Sequence, residues 1–179
     1  MSGRFISSIL SILFPPAPPP VGLEELEIGA EVTVSGRVVP RDLIESPLTG
    51  ERCVYYLYSI DEWSPSTSPN VGGDGFWRQI ERDEAITEFY LQQGGGRAIV
   101  APHDARVERA SGPPMVEVDY HVIGRRARQL LILPGDAVEV TGVVEAADDL
   151  FDDARDYRAM ARRLMLRAPD NKRIDIRLL

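Results

Sequence analysis

The feature that most constrains this chain is an alternation of apolar and polar residues that recurs between residues 30 and 178. It is clear in EVTVSGRVV from residue 31, in AVEVTGVVEA from residue 137 and in RIDIRLL from residue 173. Successive side chains of a β-strand point to opposite faces, so a period of two predicts half-buried strands. Glycine- and proline-rich turns separate these runs, which predicts an all-β barrel or sandwich.

Other stretches are expected to form strands because of their composition and flanking turns. CVYYLYSIDEW, from residue 53, is dense in aromatic and β-branched residues, which favour strands. AITEFYLQQ and RAIVAP flank Gly94-Gly95-Gly96, which predicts a hairpin with a glycine-rich turn. ARVERA and MVEVDYHVI are two more alternating runs. GRRARQLLIL has two interpretations, one or two helical turns or an irregular approach to a strand.

The stretch 152–167 also has two interpretations. Good helix formers and an acidic start favour a helix. Leu164 and Leu166, however, alternate with their neighbours as strand residues do. We favour a closing hairpin between this stretch and RIDIRLL, turned at Pro169-Asp170-Asn171, because these residue types favour turns.

The first 22 residues form an appendage of two parts. Residues 1–14 have a serine face opposite an apolar face, which predicts a short amphipathic helix that is too short to cross a bilayer. Residues 15–22 are rich in proline, which predicts an extended spacer. Three roles for the helix remain open: packing on its own domain or a sister subunit, contact with a membrane interface, or docking in a partner groove. The apolar side chains of this tether are Phe5, Ile6, Ile9, Leu10, Leu13 and Phe14.

The remaining residues, 23–179, are expected to form one β-barrel domain. A single cysteine excludes an intrachain disulfide and a cysteine-rich zinc module. The first 124 residues carry 9 Lys and Arg against 18 Asp and Glu. This acidic balance argues against a nucleic-acid partner, whose phosphates bind Lys and Arg.

Several motifs, taken in order, resemble the GIDE family, best known from mitochondrial membrane E3 ubiquitin ligases of the Mulan type. The most specific is ESPLTGERCVYYLYSIDEW; the others are VTVSGRVV, FWRQIERDE, FYLQQGGGRAIVAPHDARVE and GRRARQLLILPGDAVEVTGVV. The resemblance implies a closed or partly open antiparallel barrel similar to an OB-fold. The ligases add a zinc-binding RING, and Cys53, His103 and His121 are too few to form one. Ligase activity is therefore not expected to carry over.

Candidate catalytic residues are few, and each has a structural interpretation. Ser46 and Thr49 lie in a Ser-Pro-Leu-Thr-Gly turn without a base at a recognisable spacing. Cys53 lies in a strand pattern, where a free cysteine usually acts as a small hydrophobe. His103 and Asp104 are adjacent, so on a strand they would point to opposite faces. We therefore expect no enzymatic activity, no metal site and no cofactor.

The best candidate binding site is aromatic. Trp63 and Trp77 flank the polar loop 64–75, and we assign a binding surface to them together with Phe76 and Tyr55. The alternative, which is more usual for tryptophan, is that the pair packs on the core beneath the loop.

The function that these observations favour is a non-enzymatic interaction or scaffold module. We expect it to bind a protein partner and to be cytoplasmic, with peripheral membrane contact through the N-terminal helix as one option. The alternative is an OB-like protein that binds single-stranded nucleic acid or another ligand, which would combine stacked aromatics with a basic groove.

Overall fold

The computed structural model describes residues 22–65, 75–147, 164–170 and 172–179. The predicted N-terminal helix, its tether side chains, the proline spacer up to residue 21 and the stretch 152–163 lie outside the described residues. A 3-10 turn at Leu23–Glu25 precedes the strands. The strands are β1 (Glu31–Pro40), β2 (Ile44–Glu45), β3 (Arg52–Cys53), β4 (Tyr55–Ser64), β5 (Phe76–Ile86), β6 (Phe89–Gln93), β7 (Gly96–Ala101), β8 (Ala105–Arg109), β9 (Val116–Val118), β10 (Arg125–Ile132), β11 (Ala137–Ala146), β12 (Leu164–Arg167) and β13 (Ile174–Leu178).

Five of these strands close into a barrel. β1 pairs antiparallel with β6 and with β11, and β6 pairs antiparallel with β7. β12 completes the ring, antiparallel to β11 and parallel to β7. An all-β closed barrel, as predicted, is therefore confirmed. The expectation that all its strands are antiparallel is wrong, because directions cannot alternate all the way round a closed ring of five strands.

The barrel interior explains the alternating pattern. The largest buried side chains point inwards from every barrel strand and form one apolar cluster, with neighbouring positions facing outwards. In β11, for example, Val138, Val140 and Val144 are fully buried. The main interior side chains of the barrel strands are Val34, Val38, Phe89, Leu91, Val100, Val138, Val140 and Leu166.

The C-terminal strands exist as predicted, but their pairing differs. β12 pairs with residues 143–146 of β11 and β13 pairs with residues 138–141, so the two lie one after the other along one edge of β11. The predicted hairpin between them is therefore wrong. Both strands run antiparallel to β11 and contribute apolar side chains to the same core. Of the predicted turn, Asn171 lies outside the described residues.

Gly142 lies at the junction of β12 and β13. A Cβ atom at this position would lie 2.7 Å from the carbonyl oxygen of Arg167 and 3.4 Å from the side chain of Ile174. Glycine therefore lets the end of one strand and the start of the next approach β11 closely.

A second sheet, in the order β5-β4-β10-β9, extends from the barrel. Its proximal part shares the barrel core through Tyr55, Leu57 and Ile132. A small second cluster, built on Tyr58, Ile60 and Ala127, lies on the opposite face of this sheet, because Tyr58 and Ile60 alternate with Tyr55 and Leu57 along β4. GRRARQLLIL is resolved as strand β10, and a bulge in β5 shifts the β4–β5 register beside Ile60.

Candidate binding surface

Trp63 and Trp77 are direct cross-strand partners at the distal end of β4 and β5. Their ring centroids lie 5.3 Å apart with an interplanar angle of 67°, an edge-to-face contact that aromatic pairs favour. Trp63 is 42% exposed, Trp77 37% and the neighbouring Phe76 59%. Both rings are therefore part-exposed, and neither is among the residues of the barrel core or of the small cluster built on Tyr58.

Gly75 provides room for the Trp63 indole. A Cβ atom at Gly75 would lie 2.7 Å from Cε2 of Trp63 and 2.4 Å from the carbonyl oxygen of Ser64. Any larger residue would displace the ring or the strand. The geometry of the tryptophan pair therefore depends on the glycine that begins the approach to β5.

A buried carboxylate anchors the polar side of this surface. Asp61 has a side chain only 3% exposed, and its Oδ2 accepts hydrogen bonds from Arg126 Nε at 3.0 Å and from an Arg128 amino group at 2.8 Å. Arg126 also lies over the Trp77 ring, with its guanidinium carbon 4.5 Å from the ring centroid. The carboxylate, the two guanidinium groups and the tryptophan thus form one connected arrangement.

Two buried polar atoms beside Asp61 have no hydrogen-bond partner within the part of the chain that the structure describes. They are the hydroxyl oxygen of Ser59 and Nε of Arg128. Ser59 and Arg128 are directly opposite in the β4–β10 register, and Arg82 of β5 lies opposite Ser59 on the other side. Arg82, Ser59 and Arg128 thus form a row across three strands. Unsatisfied buried polar atoms are uncommon in native proteins, so this row is a candidate site for a ligand that would satisfy them.

Three tyrosine hydroxyls of β4 donate hydrogen bonds to carboxylates of β5. Tyr58 donates to Glu81 at 2.6 Å, Tyr56 to Asp83 at 2.9 Å, and Tyr55 to Glu84 at 2.9 Å. The hydrogen bond to Glu81, together with partial burial, raises the pKa of Tyr58 to about 12. These bonds fix β5 to β4, and with it the position of Trp77.

Tyr55, the fourth residue assigned to the binding surface, is not part of it. It is 1% exposed and lies in the barrel core at the opposite end of β4 from Trp63. Burial is the largest cause that raises the pKa of its hydroxyl. The sequence did not identify Asp61, Arg126 and Arg128. The period-two spacing of Asp61 with Trp63, and of Arg126 with Arg128, could have placed each pair on one face.

Ser46 and Thr49, the candidate nucleophiles, have polar contacts within and near their turn. The hydroxyl of Ser46 donates to Gln129 Oε1 at 2.9 Å, and the carbonyl of Ser46 accepts from the amide of Gly50 at 2.8 Å. Gly50 has a φ of 71°, as the turn interpretation requires. Thr49 donates to Glu51 at 3.2 Å.

Cys53 and the histidines lie apart from one another. Cys53 is fully buried, its thiol contacts the carbonyl oxygen of Ile44 at 3.6 Å, and burial raises the pKa of the thiol. Asp104, adjacent to His103, pairs with Arg173 at 3.0 Å. His121 lies 3.4 Å from Asp119 on the surface. Among the described residues, no group of three or more His, Cys, Asp and Glu is arranged to hold a metal ion.

Comparison with known proteins adds no relative. No protein-family model, no curated protein and no solved structure matches this chain. In the described ranges, no helix has both the length and the apolar character needed to cross a membrane.

Proposed function

We propose that this chain is a non-enzymatic interaction module whose recognition surface is the distal end of the second sheet. The observation that carries the proposal is the exposed cluster of Trp63, Phe76 and Trp77, held in place by Gly75 and by Arg126. Large aromatic side chains and arginine dominate the binding energy of protein interfaces. A folded domain has no internal reason to hold three aromatic rings at its surface, whereas a binding surface does.

The proposal includes an OB-like barrel of the GIDE type. In chain order the barrel strands are β1, β6, β7, β11 and β12, and β12 lies between β7 and β11 in the ring. The ring order is therefore first, second, third, fifth and fourth barrel strand, after which the ring closes on the first. This order in a closed five-stranded barrel supports a Greek-key, OB-like arrangement. The ordered motifs beginning at VTVSGRVV support the GIDE resemblance.

Site-specific photo-crosslinking tests the recognition surface. A benzophenone amino acid replaces Phe76 in the full chain expressed in its native host, and a matched variant carries it at Val116, an exposed residue on strand β9. We expect a defined protein crosslink from position 76 that disappears when Trp63 and Trp77 are both changed to alanine. Equal crosslinking from both positions, or a crosslink that survives the double substitution, would refute the proposed surface.

The N-terminal helix is proposed as a tether that holds the barrel at a membrane or at a partner. A variant lacking residues 2–20 should retain the circular-dichroism spectrum of the β-body but no longer float with phospholipid vesicles or co-sediment with the partner. If the full chain and the variant partition identically, the tether proposal is wrong, while the recognition surface can still stand.

A further inference from the structure

We infer that the recognition surface takes an extended protein segment with one acidic side chain and, four positions away, one large apolar side chain. This inference rests on the proposed function and specifies its ligand. It is carried by three neighbouring features of one sheet face: the row of Arg82, Ser59 and Arg128, the Asp61 anchor and the tryptophan pair.

The row at Ser59 is the acidic subsite. Ser59 is fully buried between Arg82 and Arg128, which are its direct neighbours on β5 and β10. Arg128 already gives one amino group to Asp61, but its Nε and the Ser59 hydroxyl have no partner among the described residues. A carboxylate placed between the two arginines would accept from both atoms, and hydrogen bonds to a charged acceptor are among the stronger ones. Arg82 is exposed and the Arg128 side chain is 32% exposed, so an arginine accessible to solvent lies on each side of Ser59.

Arg82 is available for such a ligand. It forms no ion pair with any residue in the described ranges, and its guanidinium is close enough to lower the pKa of Tyr55 slightly against the effect of burial. Glu84, the nearest acidic neighbour on the same face of β5, already accepts a hydrogen bond from Tyr55. A ligand carboxylate would therefore give Arg82 an ionic partner, which none of the described residues does.

The tryptophan pair is the apolar subsite, and its distance from Ser59 sets the ligand spacing. Ser59, Asp61 and Trp63 lie on the same face of β4, and four residues of strand separate Ser59 from Trp63 by about 13 Å. An extended segment running along β4 spans the same distance with four residues. The two indole planes, inclined at 67°, form a corner that can hold an aromatic or large aliphatic side chain.

The charges at the rim favour a protein segment over nucleic acid. On the same face, Glu117 lies opposite Arg128 on strand β9, and Asp119 follows just beyond the end of that strand. These carboxylates admit a single acidic group between the arginines but repel a continuous row of phosphates. The guanidinium of Arg126 also covers one face of Trp77, which removes that face as a stacking platform for a base.

Peptide selection tests the inference. The full chain is used to select from a displayed library of random nonapeptides, alongside an Arg82→Gln/Arg128→Lys variant and a control, Arg125→Gln. Lysine at position 128 keeps the charge beside Asp61 but removes Nε. Arg125 lies at the distal end of the same sheet and pairs with the part-exposed Glu62, so its loss leaves the Ser59 row intact.

We expect the wild type and the control to enrich peptides with Asp or Glu four positions from an aromatic or large aliphatic residue. In the double variant, the enrichment of Asp and Glu at this position over other residues should fall by about tenfold. Recovery of no enriched peptide, of peptides without an acidic residue, or of the same peptides by the double variant would each overturn the inference.

A fluorescence titration measures how much the acidic residue of a selected peptide contributes to its affinity. Trp63 and Trp77 are the only two tryptophans in the chain, so their emission reports on this surface alone. The best selected peptide should bind about tenfold more tightly than its copy with Gln in place of the acidic residue. Saturable binding of a twelve-residue oligothymidine to the same surface would overturn the inference in favour of nucleic acid. A Trp-dependent crosslink from position 76 to a partner lacking the acidic motif would refute this inference alone.

Discussion

Asp61→Asn tests whether one buried carboxylate holds the distal sheet together. The substitution keeps the size of the side chain but removes the charge that Arg126 and Arg128 share. Removing one partner of a fully buried ion pair costs about 3–5 kcal/mol. Here each arginine side chain is about one-third exposed and keeps part of its hydration. We therefore expect a smaller loss in the free energy of unfolding, about 2–3 kcal/mol.

The matched control is Glu62→Gln, one residue along the same strand. Glu62 also pairs with two arginines, Arg125 at 3.0 Å and Arg78 at 3.4 Å, but its side chain is 36% exposed. Exposed ion pairs contribute at most about 1 kcal/mol and are screened by salt. The control should therefore lose less than about 1 kcal/mol, and this loss should vanish at high salt.

Urea denaturation at 25 °C, followed by tryptophan emission and by circular dichroism, measures both losses. Emission reports on the distal sheet and circular dichroism on the whole β-structure, so coincident transitions would show cooperative unfolding. The expected loss for Asp61→Asn corresponds to a fall in Tm of about 4–12 °C for a chain of this size. Equal losses for the two variants, or a loss for Asp61→Asn that disappears at 1 M salt, would refute the assignment of a buried anchor.

Three further predictions concern the rest of the fold. Gly142→Ala should lose about 2–3 kcal/mol in urea denaturation because its Cβ meets the backbone of β12, whereas Gly95→Ala, with open space around it, should change stability by less than about 0.5 kcal/mol. The Cys53 thiol should react with a thiol reagent only at the rate of unfolding, because burial shields it and raises its pKa; rapid modification of the native chain would contradict its position. The folded pKa of Tyr58, about 12, exceeds the ordinary value of 10.0. The contribution of the Tyr58–Glu81 hydrogen bond to the free energy of unfolding is therefore complete below pH 10 and is lost as the pH rises through 12. The stability difference between wild type and Tyr58→Phe should shrink over this range in denaturation at stepped pH, and a constant difference would refute the assigned hydrogen bond.

The strands of this fold were predictable because each is a local pattern, whereas their pairing was not. Val138, Val140 and Val144 indicate one buried face through their spacing alone. Nothing local indicates that β12 lies parallel to β7, since the two are far apart in the chain and are joined only by the closure of the ring. The hairpin prediction for the C-terminal strands failed for the same reason: two alternating runs near a turn pair with each other in most cases, but here both pair with β11.

The candidate site was partly predictable. The position of Trp63 and Trp77 around a polar loop pointed to an aromatic pair, and the structure shows that the two are cross-strand partners and part-exposed. Tyr55 lies on the same face of β4 as Trp63, but alternation alone does not show where a strand passes from core to surface. Arg126 could not be assigned, because its contact with Asp61 depends on the register between β4 and β10.

The position of β12 in the ring also has a consequence during synthesis. β12 is the last barrel strand to leave the ribosome, and it is the strand that separates β7 from β11. Until residues 164–167 emerge, a nascent chain presents two unpaired strand edges with their backbone groups open, and such edges favour aggregation. Shielding by a chaperone should therefore matter most in this interval, and substitutions that slow the arrival or docking of β12 should lower the yield of folded protein more than they lower its final stability.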